Sequence, residues 1–335
     1  MRLALWLSAW ISTPLTLLGQ TAPEFKGHSD LVHSVAVSPD GKQLATAGFD
    51  GTIKLWEIAT GKNTHTLEGH QGPVYCVAYR PDGAFLASSG LDKSIKLWNL
   101  AEGKATVEIK AHGDIVDAIA FSPDGKLLAS GSADKTVRLW QAEDGKEVKN
   151  LGAHGGSVYA LSFSPDGTRL ASVGQDQTFK IWSVAEQKEL KSVKASSMAL
   201  TGVAFAPDGK RVLVCGLDRF IRAFDADSGD EAFRLGPTED DLFGIAWSRD
   251  GRYLAAVGYA GNIRVYDFAM PRTEERQVVL FLPGAGLLLT KVQIPQPVLT
   301  HRVMSPAYCI TFAADGKAVI TGHANHLAVA TTIQR

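Results

Sequence analysis

After residue 22, short runs of apolar, β-branched and aromatic residues alternate with Gly, Asp and Pro along the chain, and the pattern repeats. In residues 31–70, Val35 and Val37 alternate with their neighbours, polar at Ser34 and Ser38, and lead into Ser38-Pro39-Asp40-Gly41. Leu44-Ala45-Thr46-Ala47 follows, then Phe49-Asp50-Gly51, the run Thr52 to Ile58, the turn Thr60-Gly61-Lys62, and Thr64 to Glu68 before Gly69-His70. Runs of this length between turn residues predict four short antiparallel strands in a meander. Asp-Gly supplies the positive φ that a tight turn needs. The turn aspartate recurs at Asp40, Asp82, Asp124, Asp166, Asp208, Asp250 and Asp315, with five intervals of 42 residues and a last of 65. The excess of 23 is too short for another unit, so there are seven units with an insertion before the last. Each sheet has two apolar faces that it cannot bury alone, and stacking the units around an axis buries them.

These residues resemble the WD-repeat β-propeller family. The marks are Gly27-His28, Gly69-His70, Ala111-His112 and Ala153-His154, together with Trp56, Trp98, Trp140 and Trp182. The family's Asp after that Trp is absent, with Glu57, Asn99, Gln141 and Ser183 in its place. The resemblance covers 23–335 apart from an insertion at about 270–305. It implies an all-β, seven-bladed β-propeller with four-stranded antiparallel blades. It also implies that a hydrogen-bonded tetrad pins each blade. The matching positions are His28, Thr46, Asp50, Trp56; His70, Ser88, Asp92, Trp98; His112, Ser130, Asp134, Trp140; and His154, Ser172, Asp176, Trp182. In physical terms, a half-buried carboxylate needs donors, an imidazole links it to a hydroxyl, and the indole adds an N–H and a large apolar body.

The later units depart from this pattern. Unit five has Val214, Asp218 and Phe224, unit six has Ala256, Ala260 and Tyr266, and unit seven has Thr321, Asn325 and Thr331. These blades are expected to rely on apolar packing. The last unit has only three strands, and Pro23 to His28 matches a fourth. The N-terminal strand is therefore expected to close the last blade and remove the free sheet edges. Within the insertion, Val278–Leu282 is expected to be the outer strand of blade six, and Leu287–Ile294 to pack as an added hairpin; the whole reads as a surface loop or local hairpin, with a partner-binding arm as the alternative.

Composition narrows the function classes. Lys plus Arg is 34 and Asp plus Glu 35, a formal net charge of -1, which lacks the basic surplus of a nucleic-acid binder. Cys76, Cys215 and Cys309 lie far apart, so no disulfide framework, zinc pattern or haem motif is present, and no cofactor is expected. Arg2 is the sole charge before Glu24, Leu3 to Leu18 is apolar, and small residues follow. Residues 1–22 thus read as a signal peptide, with an uncleaved anchor as runner-up. The apolar stretch is shorter than the roughly 20 residues a span needs, so no stable membrane span is expected once the signal is removed. An exported protein, periplasmic or extracellular, follows as an expectation, similar to bacterial exported WD-repeat proteins.

Each tetrad holds hydrolase residue types, but four copies at one spacing argue for a structural role. No G-x-S-x-G, P-loop, HExxH or EF-hand pattern occurs. His323 and His326 have ligand-like separation, yet they fall in a turn of the last blade and read as solvated. Basic residues recur at Lys54, Lys96, Arg138, Lys180, Arg222 and Arg264, where their charges are expected to meet carboxylates. By the resemblance, two further sets face the narrow top surface. The first is His33, Tyr75, Asp117, Tyr159, Thr201, Phe243 and Tyr308; the second is Phe49, Leu91, Ala133, Gln175, Leu217, Tyr259 and Ala324. Clustered aromatic and apolar side chains mark an interaction surface, unless they only line the channel or lie under loops. The expected function is a non-catalytic scaffold that presents this face to a protein or peptide partner. The alternative is a propeller-type enzyme, such as a hydrolase, lactonase or quinone-dependent dehydrogenase, with a metal site at the channel mouth. Only Asp117, Asp241 and His33 would offer ligands there.

Overall fold

The computed structural model describes residues 24–110, 112–269, 272–282 and 286–333, with 272–282 and 286–296 described by their backbone. It contains seven four-stranded antiparallel sheets and one two-stranded ribbon. Blades one to five are uninterrupted meanders that begin at Val32, Val74, Val116, Val158 and Leu200. The Pro-Asp-Gly class of turn works as its chemistry requires. In blade one the Asp40 carboxylate accepts from the Ser38 hydroxyl and the Lys42 amide, and Gly41 takes a φ of 74°.

Blade seven pairs Ala307–Phe312, Ala318–His323 and Leu327–Thr332 with the N-terminal strand Glu24–Lys26. The register sets Glu24 opposite Val329, Phe25 opposite Ala328 and Lys26 opposite Leu327. Phe25 is completely buried and meets the Trp56 ring edge-on at 5.9 Å. The chain end therefore joins its last sheet to its first.

The core is divided among the blade interfaces. Seven apolar clusters are present, and each draws on two neighbouring blades, including Ile320 of blade seven with Leu44 and Trp56 of blade one. Trp56, Trp98, Trp140 and Trp182 are each at most 2% exposed and lie in the interface with the preceding blade. Phe224 and Tyr266 take that place in blades five and six.

The insertion differs from its sequence expectation. The outer strand of blade six is Leu299–Arg302, paired with Asn262–Val265, and not Val278–Leu282. The latter belongs to the ribbon, in which Arg272–Leu282 pairs with Gly286–Gln296. Outer strands face solvent and are mostly exposed, as in Asn63–Leu67, so apolarity was the wrong signal for one. No helix of the described residues is long and apolar enough to cross a membrane.

Truncating the closure strand tests the ring. Phe25→Ala is expected to cost about 3–5 kcal/mol in equilibrium denaturation. An unchanged denaturation midpoint would show that the strand does not carry the closure.

Candidate functional site: the channel mouth

Every innermost strand carries one irregularity at the same place. Its pairing with the second strand skips a residue between Val32 and Ser34, and likewise in the other six blades. The skipped residues are His33, Tyr75, Asp117, Tyr159, Thr201, Phe243 and Tyr308. A bulge leaves its extra residue out of the ladder and re-aims its side chain. All seven residues line one axial cavity of about 580 Å³. They are half-buried, neither sealed nor free.

The rings form a continuous arc. His33 stacks on Phe49 at 5.3 Å and on Tyr308 at 6.0 Å, and Tyr308 stacks on Phe243 at 5.2 Å. Tyr75 approaches Phe49 at 5.1 Å, and Tyr259 meets Phe243 edge-on at 6.3 Å. His33 Nδ1 donates to the Tyr75 carbonyl at 2.7 Å. Burial holds the His33 imidazole below its ordinary value, so the ring is neutral near pH 7. Leu217 also lines the cavity, whereas Phe49 and Tyr259, the latter 61% exposed, are outside the lining and touch it through His33, Tyr75 and Phe243. Leu91 stands apart, exposed and packed over Gly72, and Ala133, Gln175 and Ala324 do not join the lining.

Away from the arc, the wall is polar. Thr201 donates to the Leu242 carbonyl at 2.7 Å. The buried Oδ2 of Asp117 has no hydrogen-bond partner among the described residues. Burial, with the charge of Asp114 added, pushes the Asp117 carboxyl up to about 7. Burial and the Asp117 charge raise the Tyr75 hydroxyl in turn.

Each of the first four blades also carries one directed hydrogen-bond chain. The indole of Trp56 donates to Thr46 Oγ1 at 2.9 Å, and the hydroxyl meets His28 Nε2 at 2.7 Å. His28 Nδ1 donates to Asp50 at 2.9 Å. The hydroxyl-to-imidazole distance is 2.7 Å in all four blades. Burial keeps His28, His112 and His154 below the ordinary imidazole value. Asp50 is held low against its own burial, because the Ser29 amide, His28 and Thr52 bond to it. The order hydroxyl, imidazole, carboxylate is that of a hydrolytic triad. Here, however, Thr46, Ser88, Ser130 and Ser172 are wholly buried and capped by an indole N–H, so no substrate reaches them.

The description "IFT122 first beta-propeller" matches residues 92–283, more than half of the chain, and "WD domain, G-beta repeat" matches 19–57 and 61–99. The chain belongs to the WD-repeat β-propeller family. It is also similar to the ribosome biogenesis protein BOP1 of Mus musculus, 51% identical over 43 residues, which is 13% of this chain and 6% of that protein. The BOP1 homolog of Drosophila virilis is 49% identical over 43 residues, with the same shares. The match is one repeat long, and a repeat carries the blade and not the partner. The expectation of export is overturned by these relatives, which are named for ribosome biogenesis and not for work outside the cell. They are animal proteins and lend the bacterial-type qualifier no support. The residues that suggested a signal peptide, 1–22, lie outside those described.

The later WD blades are not held by apolar packing alone, contrary to the sequence expectation. In blade five, Asp218 accepts from Ser196 at 2.7 Å and pairs with the buried Arg222 at 2.7 Å. In blade six the carboxylate comes from another loop. Asp240 is buried, pairs with Arg264 at 2.7 Å and accepts from Asn262 and the Ala260 amide. In blade seven the histidine is relocated. A Cβ at Gly48 would lie 2.3 Å from His28 Nδ1, so that glycine makes room for the imidazole. His323 occupies the same register in blade seven and brings its own ring to Thr321, with Oγ1 to Nε2 at 2.6 Å. His323 is therefore fully buried in a strand, and not a solvated turn residue. In the column of basic residues, Lys96 meets Glu108 at 2.7 Å and Arg138 meets Glu147 at 3.4 Å, whereas Lys54 bonds to Thr66. Sequence reasoning missed these substitutes because it looked for the tetrad's own residue types, whereas Ser196, Arg222 and Arg264 are other types at repeating positions, and Asp240 and His323 come from shifted ones.

Two measurements check the site. Ser88→Ala strands His70 Nε2 and the Trp98 indole, and is expected to cost about 1–3 kcal/mol of stability by denaturant titration; no loss would mean that the chain of bonds is not stabilising. Asp117 ionises at its ordinary value of 3.8 when unfolded and at about 7 in the fold. Folding thus favours its protonated form, and that contribution disappears as pH rises through about 7. Asp117→Asn is expected to melt above the parent at pH 8, with the gap closing toward pH 4; a pH-independent gap would remove the unpartnered carboxyl as its cause.

Proposed function

We propose that this propeller is a non-catalytic interaction scaffold that receives a protein or peptide partner at the mouth of its axial channel. The aromatic arc from Tyr75 through Phe49, His33, Tyr308 and Phe243 to Tyr259 carries the reading. Half-exposed rings held rigidly by four blades give large contact area at little ordering cost, which suits a binding hot spot. The unpartnered Asp117 carboxyl supplies a polar anchor in the same cavity. WD-repeat propellers commonly act as protein-interaction scaffolds, and this agrees with the family assignment. Among the described residues no group of three His, Cys, Asp or Glu side chains converges.

Peptide display panned on the folded protein tests the reading. Enriched peptides are expected to lose tenfold or more in affinity, about 1.4 kcal/mol, to Tyr75→Ala/Tyr308→Ala while the melting temperature stays near the parent's. Peptides that bind the double variant equally well would place docking elsewhere.

A further inference from the structure

Between blades four and five lies a second cleft of about 560 Å³, away from the channel. Its chemistry is set by an unusual cross-strand pair. Arg222 and Arg234 stand directly opposite one another on Ile221–Asp225 and Glu231–Leu235. Like charges in that position repel. Both guanidinium carbons sit over the Phe220 ring, at 4.9 and 5.9 Å. Glu231 engages the Arg234 guanidinium, with Nη2 at 2.8 Å from Oε2. Arg222 is only 7% exposed, and its Nη2 pairs with Asp218 at 2.7 Å. Its Nη1 is buried and has no hydrogen-bond partner among the described residues. Lys194, Ser196 and Ser197 line the same cleft. Ser196 stands 42 residues after His154, where the preceding blades have an imidazole.

We propose that this cleft binds a carboxylate presented by a peptide. The buried Nη1 is a charged donor already desolvated, so an acceptor there restores a bond that burial denies it. Lys194, Arg222 and Arg234 bring three positive charges against the two of Asp218 and Glu231. One charge remains, which a carboxylate monoanion neutralises. The anion also relieves the repulsion between the facing arginines, and the serine in place of an imidazole leaves room for it. The carboxylate is an Asp or Glu side chain or a chain terminus.

Fluorescence anisotropy with rhodamine-labelled peptides tests the proposal on the full chain. One probe is an N-acetylated, C-amidated triglutamate, another is triglycine with a free carboxyl end, and amidated triglycine is the blank. Saturable binding of the first or second probe, absent for the blank, is expected, and which of them binds identifies the source. Lys194→Glu, at an exposed position, should weaken that binding tenfold or more without moving the melting temperature, and Arg234→Gln should also weaken it. Tyr75→Ala/Tyr308→Ala should leave it unchanged, which separates this site from the channel. The proposal is overturned if neither carboxylate probe binds, if both charge variants bind like the parent, or if inorganic phosphate displaces the probe at lower concentration than acetate does.

Discussion

A four-stranded sheet with apolar residues on both faces has no stable existence alone in water, and this molecule answers by giving each face a neighbour. The seven apolar clusters correspond to the seven boundaries between blades. Such an arrangement has no natural end, and an open arc would leave two apolar faces wet. Closure by Glu24–Lys26 makes the first and last segments of the chain interdependent, with Phe25 wedged beside Trp56. Stability then belongs to the ring as a whole, and the strands nearest the axis are held from both sides. That rigidity is what allows aromatic side chains to be kept in place at the channel mouth.

Polar chemistry serves the same end. The large indoles fill the blade interfaces, but each brings an N–H that burial would otherwise strand. The hydroxyl, imidazole and carboxylate behind it pass the hydrogen-bonding requirement outward until it reaches a partly solvated loop. In blades five and six the indole and its hydroxyl partner are both lost, yet a buried carboxylate remains and must be met by a cation, whereas blade seven keeps the hydroxyl of Thr321 against His323. Arg222 and Arg264 do this in blades five and six, from the column of basic residues that continues Lys54, Lys96, Arg138 and Lys180.

Much of the fold was legible because periodicity and turn chemistry are local. The turn aspartates count the blades, and the three-stranded last unit points to the N-terminal strand. The outer strand of blade six was not legible, since a half-solvated strand such as Leu299–Arg302 is defined by backbone pairing that no side-chain pattern announces. His323 was misread for a related reason. Its position next to a turn suggested solvent, and only the missing glycine of that register shows that its ring fills an imidazole-shaped space. The first set of mouth residues could be named from equivalence between units together with the family resemblance, but no side-chain pattern announces the bulge that turns them inward. The Arg222–Arg234 opposition was likewise invisible, because the pairing shifts within Ala223/Phe224 and a count along the chain does not give the register.

The bulges have an evolutionary consequence. A residue that takes no part in the ladder can be exchanged without disturbing the pairing on either side of it, so the seven positions around the axis are free to vary in size, charge and aromaticity while the frame stays the same. The variety already present there, from Thr201 to Phe243 and from His33 to Asp117, is what such freedom permits: a surface that can be retuned for a new binding partner at little risk to folding.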